Sequence, residues 1–256
     1  MNFIDTHCHI HSKDYSLNPE TVIKGGLEVG ISNAIVVGTD LEDSRLAVRF
    51  AQDHENLYSS IGIHPHEAKD YVHAPDKLKD FASLATEKKV VAVGECGLDY
   101  YYYHSPKEDQ KQILEFQIEL AQKHDLPMIF HVREAFDDFW PIIDKYPGIR
   151  GVIHSFTASK EVLNEILSRD FYVGLNGIMT FTKNQSQLEA AKAVPLSKML
   201  LETDAPFLTP APYRGTIAQL KHVINIAFFL SELRSESLES ISKATTSNSK
   251  KLFNLN

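Results

Sequence analysis

Two cysteines in 256 residues cannot build a disulfide framework. That excludes the small cross-linked secreted scaffolds and makes a reducing cytoplasm the expected compartment. No apolar run approaches the roughly 20 residues that a membrane span needs, so no membrane association is expected. The first residues, Met1-Asn2-Phe3-Ile4-Asp5-Thr6-His7, lack a basic segment followed by an apolar one, and no secretory signal is expected. There is no Gly/Ser-rich linker, low-complexity tract or long block of one charge. Positive charge is scarce too: 26 Lys and Arg against 34 Asp and Glu leave a formal charge of −8. That balance argues against a generic binder of polyanions, so any contact with nucleic acid needs a local basic pocket or a metal. What is there, 43% hydrophobic and 23% charged residues, is an ordinary globular composition. It excludes collagen-like, disordered and coiled-coil chains.

Short β-branched runs alternate with longer amphipathic ones. The strand-like runs are 3–7, 34–38, 58–63, 90–95, 127–131, 151–154, 172–175 and 199–202. Helical stretches lie near 20–29, 41–54, 76–88, 107–124, 134–146, 160–169, 185–193 and 217–233, with a further helix near 237–253. Ala34-Ile35-Val36-Val37 and Val90-Val91-Ala92-Val93 are continuously apolar, as parallel strands covered by helices should be. Eight such units of about 30 residues predict a single (β/α)8 TIM-type barrel over residues 1–256, with an extra C-terminal helix. The alternative, an open doubly wound sheet, favours a Gly-rich phosphate turn after the first strand. Here the first strand ends in His7-Cys8-His9 instead.

Chemistry on such a barrel sits at the carboxyl ends of the strands. Those ends carry His7 and His9, His64 and His66, Glu95, His131, His154 and Asp204. Side chains two apart on a strand point the same way, so His7 and His9 can grip one ion. A row of buried histidines without partners would be costly, which weighs against polar residues that merely plug the barrel top. Four His, one Glu and one Asp (His7, His9, His131, His154, Glu95, Asp204) exceed the needs of one tetrahedral ion. They suit two divalent cations bridged by a carboxylate, with Glu95 as the natural bridge. Mixed imidazole and carboxylate ligands suit Zn²⁺, Mn²⁺ or Fe²⁺, and Mg²⁺ more weakly. Paired ions of this kind serve phosphoryl displacement.

The order and spacing of these residues resemble the TatD family of metal-dependent deoxyribonucleases, within the amidohydrolase-like barrels. The resemblance runs through Ile4-Asp5-Thr6-His7-Cys8-His9, Gly62-Ile63-His64-Pro65-His66, Val93-Gly94-Glu95-Cys96-Gly97-Leu98-Asp99-Tyr100-Tyr101 and Leu126-Pro127-Met128-Ile129-Phe130-His131-Val132-Arg133. It continues through Gly151-Val152-Ile153-His154-Ser155-Phe156-Thr157 and Leu201-Glu202-Thr203-Asp204-Ala205-Pro206-Phe207-Leu208 to the last helix, Ala244–Phe253. It implies one ion on His7, His9, Glu95 and Asp204, and a second on Glu95, His131 and His154. It also implies 3′→5′ exonuclease action on single-stranded DNA, while some relatives are D-aminoacyl-tRNA deacylases. The chain departs from the family pattern at Ser155 and Ala158, where Cys and Gly are usual. It departs again in Tyr213-Arg214-Gly215-Thr216-Ile217-Ala218, which keeps Arg-Gly but lacks the following Asn-x-Pro.

By analogy with this barrel type, Asp204 is expected to orient the attacking water and take its proton, against a purely ligating role. Glu95 is the alternative base. His64 is expected to contact substrate or phosphate, or else to serve as a structural hydrogen-bonding group. His66 is expected to point elsewhere, and His11 to be solvent-exposed. Arg133 shares the His131 face and suits bidentate phosphate recognition, or else pairs with Glu134 or Asp99. Arg214 is a second phosphate candidate. Tyr100–Tyr103 could stack on bases, but packing of most of them beneath the loop is favoured. Cys8 and Cys96 are expected to pack toward the helix layer. Ile217, Leu220, Val223, Ile224, Ala227 and Phe228 predict a core face on the helix near 217–233. The functional expectation is a cytoplasmic, monomeric two-metal phosphodiesterase with a DNA substrate and no obligate protein partner. A D-aminoacyl-tRNA deacylase or other ester or amide hydrolase is the alternative. A catalytically silent metal-binding scaffold is the third reading.

Overall fold

Residues 1–255 are described by a computed structural model. The first strand, β1 (Phe3–Cys8), leads into α1 (Pro19–Glu28), and the alternation repeats: β2 (Ile31–Val37), α2 (Leu41–Gln52), β3 (Leu57–Ile61), α3 (Pro75–Ser83), β4 (Val90–Asp99), α4 (Lys107–Lys123). It continues with β5 (Met128–Arg133), α5 (Phe136–Ile143), β6 (Gly151–Ile153), α6 (Lys160–Ser168), β7 (Tyr172–Leu175), α7 (Gln185–Ala193), β8 (Met199–Leu201) and α8 (Val223–Arg234), and α9 (Leu238–Phe253) closes the chain. The eight strands form one sheet in sequence order, with parallel pairing. This is the TIM-type (β/α)8 fold that the sequence predicts, with α9 as the extra helix. No helix among the described residues is long and apolar enough to cross a membrane.

Local chemistry explains the helix starts. Asn18, Asp40, Asn184 and Ser237 each accept a backbone N–H of the first turn, and Pro19 and Pro75 occupy first-turn positions where no donor is needed. Contacts gather into two units, Met1–Val36 with His154–Asn256, and Val37–Ile153.

In the first unit, Phe3, Ile4, Ile31, Ile35, Val173, Leu175, Leu200, Leu201, Val223, Ile226 and Leu230 form a buried core. β1 is tied to the β8 end by Thr6 Oγ1 donating to the Leu201 carbonyl and by the Asp204 N–H donating to the His7 carbonyl. α9 is sewn on by polar bonds: Ser242 and Thr246 hydroxyls donate to the Asn2 carbonyl, and Asn248 Nδ2 donates to the Leu196 and Met199 carbonyls. Of the predicted α8 face, Leu220, Val223 and Ala227 are buried, Ile226 and Leu230 add to it, and Phe228 is exposed; a 3-10 turn, Leu220–His222, precedes the helix.

In the second unit the core is Ile61, Ala92, Val93, Met128, Ile129, Phe130, Ile153 and the helix residues Phe81, Ile113, Ile118 and Phe139. β4 runs four residues beyond its expected end at Glu95. Its register against β5 shifts between Val93 and Cys96, and Gly94 and Gly97 take φ of +143° and +146°. A Cβ at Gly94 would overlap the Ile129 carbonyl oxygen, and one at Gly97 the His131 carbonyl oxygen. Only glycine tolerates both demands.

Candidate metal centre

The first unit gathers His7, His9, His154, Glu202 and Asp204. His7 is fully buried at the end of β1, and His9 lies two residues on. Their Nε2 atoms are 3.1 Å apart. Asp204 Oδ1 lies 3.7 Å from His7 Nε2 and 3.5 Å from His9 Nε2. Asp204 is held in a left-handed conformation, φ +57°, between the two backbone bonds that join this loop to β1: its own N–H to the His7 carbonyl, and His9 N–H to the Ala205 carbonyl. Burial works against ionisation of Asp204, but the His9 hydrogen bond and the charges of His7 and His154 outweigh it and hold the carboxyl below its ordinary value. Behind it, buried Asp5 accepts from the Thr203 N–H and hydroxyl at 2.9 and 2.6 Å, and burial pushes its pKa up to about 7. The His154 ring stacks on His7 at 4.0 Å, and its Nδ1 lies 3.4 Å from Glu202 Oε1. Glu202 is fixed in turn by the Ser155 N–H at 2.6 Å and by Asn176 Nδ2. Exposed Phe207 borders His9.

The second unit gathers His64, His66, Glu95, Asp99 and His131. Glu95 Oε1 is 2.8 Å from His131 Nδ1 and 3.6 Å from His64 Nε2. The other His131 nitrogen, Nε2, is 3.0 Å from Asp99 Oδ2, which His66 Nε2 also meets at 3.1 Å. Asp99 Oδ1 accepts the N–H groups of Tyr101 and Tyr102. Burial raises the Asp99 pKa, yet these bonds and the His131 charge carry it well below the carboxylate range. His64 starts a 3-10 turn, Pro65–Asp70, where its Nδ1 accepts the His66 N–H. Burial pushes its pKa well down, so it is neutral. Two buried glutamines of α4 brace this unit: Gln117 exchanges both bonds with the backbone of Ile63, and Gln110 does the same for Asp99.

These separations fit ion binding. Two donors each about 2.0–2.2 Å from one ion stand roughly 3.0–3.5 Å apart, close to the spacings in both clusters. His7, His154 and Glu202 form one group of convergent atoms, and His64, Glu95 and His131 another, in which the His64 Nδ1 is already committed to the His66 N–H and only Glu95 and His131 are left as ligands. The donors are imidazole and carboxylate, the chemistry of Zn²⁺ and Mn²⁺ sites.

Other expectations meet different outcomes. Arg133 pairs with neither Glu134 nor Asp99; its guanidinium lies over the rings of Tyr101 and Tyr102 at 4.1 and 4.7 Å. Arg214 lies over Phe181 at 3.8 Å and donates to the Thr209 carbonyl. Three of the four tyrosines do not pack beneath their loop: Tyr101, Tyr102 and Tyr103 are 54%, 52% and 59% exposed. The capture of two loop N–H groups by Asp99 turns this loop outward. His11 is buried, not exposed. Cys8 and Cys96 are buried free thiols that donate to the Ile35 and Ile129 carbonyls. Sequence reasoning missed Asp99 and Glu202. The signal was alternation: Asp99 shares a face with Glu95 once β4 is carried on, and Glu202 stands two residues before Asp204.

Fold and donor set together place the chain among the metal-dependent hydrolases. A family model described as TatD related DNase matches residues 4–254. The chain belongs to the TatD family. The uncharacterized metal-dependent hydrolase YabD of Bacillus subtilis is 35% identical over 254 residues, covering 98% of this chain and 99% of its own. The 3′-5′ ssDNA/RNA exonuclease TatD of Citrobacter rodentium is 30% identical over 263 residues, covering 98% of this chain and 97% of its own. Among solved structures, the TatD homologue YjjV of Escherichia coli K12 superposes with a TM-score of 0.92 at 29% identity, covering 99% and 98% of the two chains.

Proposed function

We propose that the chain is a two-metal phosphodiesterase acting on nucleic acid, a 3′→5′ exodeoxyribonuclease, working as a cytoplasmic monomer. The observation that carries the metal reading is the double hold on His131. Ionised Asp99 takes the Nε2–H, which leaves the Nδ1 lone pair facing the Glu95 carboxylate at 2.8 Å. A proton on Nδ1, which charges the ring, satisfies that contact, and a divalent cation taking its place would draw on the same two atoms; this supports the metal reading. In this reading His7, His9 and Asp204 hold one ion, His131 and His154 the other, and Glu95 is common to both, as the family resemblance implies. Such a pair, when bound, supplies Lewis acidity to the attacking water and to the leaving oxygen.

The chain's own groups do the rest. Asp204, kept ionised beside His7 and His9, orients the attacking water and accepts its proton. His64 cannot offer Nε2 as a lone pair, because its Nδ1 already accepts the His66 N–H. Its proton therefore sits on Nε2, and the neutral ring donates a hydrogen bond to a phosphate oxygen. Arg133 and Arg214 contact phosphate, and the name of the Citrobacter relative supports a polynucleotide substrate.

The test is a gel assay on 5′-labelled single-stranded DNA with Mg²⁺ or Mn²⁺, wild type beside Glu95→Ala, with metal content measured on both. A ladder shortening from the 3′ end in wild type alone, with reduced metal content in the variant, is expected. Wild-type turnover in Glu95→Ala overturns the shared-ligand model. An intact oligonucleotide in every lane overturns the nuclease reading and directs attention to acyl esters such as D-aminoacyl-tRNA.

A further inference from the structure

The loop after β4 carries three exposed aromatic rings on a chain with a formal charge of −8. These rings are not loosely held. Tyr101 and Tyr102 are anchored by their N–H groups to Asp99, whose other oxygen holds His131. Their rings meet at right angles, 4.8 Å apart. Tyr102 is braced from behind by His104, stacked at 5.8 Å, and by the edge of His66 at 5.6 Å. Arg133 lies over both rings and makes no ion pair with a carboxylate among the described residues. The result is a braced aromatic surface, one carboxylate away from a candidate metal ligand, with an unneutralised planar cation set into it.

We propose that Tyr101, Tyr102 and Arg133 form a nucleotide subsite: a tyrosine ring stacks on an unpaired base while the guanidinium pairs with the adjoining phosphate. The proposal rests on the phosphodiesterase reading above and adds to it the residues that hold a base. Three features favour this occupant. Aromatic faces accept any base, so stacking gives affinity without sequence preference. A guanidinium lying on a ring keeps its N–H edge free for a phosphate, which a carboxylate-paired arginine would not. The anchoring through Asp99 fixes the platform relative to His131, so a base held there sets where its phosphodiester falls. A base locked in a duplex cannot reach such a surface, so a paired 3′ end should be a poorer substrate than a single strand.

A cycle between protein and substrate tests this. Steady-state KM is measured for single-stranded oligonucleotides with an ordinary or an abasic nucleotide at each of the last three 3′ positions, on wild type, Tyr101→Ala, Tyr102→Ala and Tyr101→Phe. In wild type, removing the stacked base should raise KM about 5- to 100-fold at one position. In Tyr101→Ala or Tyr102→Ala that penalty should collapse to less than about twofold, because the ring that read the base is gone. Tyr101→Phe keeps the ring and should keep the penalty. Metal content and melting temperature on the same samples separate the effect from damage to the centre. An abasic penalty that survives in full in both alanine variants overturns the subsite and leaves the nuclease reading standing. If wild type cuts no oligonucleotide at all, the nuclease reading falls first and the subsite with it.

Discussion

Asp99 is the residue on which the second cluster turns. It accepts four N–H groups on two oxygens: Tyr101 and Tyr102 amides on one, His66 and His131 rings on the other. Its negative charge sets the His131 tautomer, and the tautomer decides whether Nδ1 offers a lone pair. Asp99→Asn keeps the size and one acceptor oxygen for the tyrosine amides. Its amide nitrogen, however, cannot accept from His131 Nε2. The imidazole proton then moves to Nδ1, where it opposes metal binding. Affinity for the ion on His131 should fall about 10- to 100-fold, the range seen when a carboxylate behind a ligating histidine is lost. Mn²⁺ titration followed by electron paramagnetic resonance reads this directly, and an unchanged affinity would show that Asp99 serves only the loop. Glu202 stands in a similar relation to His154, at 3.4 Å, and gains its own orientation from Ser155 and Asn176.

At the scale of elements, β4 shows how backbone shape delivers a side chain. Glu95 reaches its place because the strand shifts register at Gly94 and stays pressed against β5 at Gly97. Gly97→Ala would put a methyl into the His131 carbonyl oxygen at φ +146°. The cost should be about 3 kcal/mol or more, a melting temperature lower by about 6–12 °C for a chain of this size. Gly25→Ala, within α1 where a Cβ meets nothing within 4 Å, should instead stabilise by roughly 0.5–1 kcal/mol. Thermal melts of the two variants should move in opposite directions; parallel shifts would show that packing at Gly97 is looser than the structure has it. The same strand marks what the sequence made legible. Short β-branched runs, two of them continuously apolar, located all eight strands, and the strand ends displayed the donor types. The last four residues of β4 were not legible, because Gly97 reads as a breaker until its neighbour on β5 is known. With them went Asp99, the anchored tyrosine loop and the buried bonds from Gln110. Most of the α8 face was legible: Leu220, Val223 and Ala227 are buried, and Ile226 and Leu230 complete the same stripe at three and seven residues from Val223. Phe228 does not belong to that stripe, because five residues at about 100° each carry it about 140° away from Val223.

At the scale of the whole molecule, charge limits how nucleic acid can be held. Many of the cations are committed to carboxylates: Arg45 to Glu42 and Asp80, Lys145 to Glu115, Arg150 to Asp125, Arg169 to Glu165, Lys198 to Asp170 and Arg234 to Glu236. Arg133 and Arg214 lie on aromatic rings instead. A net charge of −8 gives a polyanion no general attraction, so binding must come from a few local contacts and the bound ions. Counterion release then sets a measurable bound. Two arginine–phosphate contacts on a single strand predict that log(1/KM) falls with log[salt] at a slope of about −1.4, since each contact contributes roughly −0.7. Arg133→Ala should make the slope shallower by about 0.7 while KM rises more than kcat falls. A wild-type slope steeper than about −3 would mean that the strand follows a basic track outside these two residues. A slope that Arg133→Ala leaves untouched would mean that this guanidinium serves the tyrosine rings and never meets a phosphate. The two results separate a site that binds through charge density from one that binds through a metal pair, two arginines and an exposed aromatic platform.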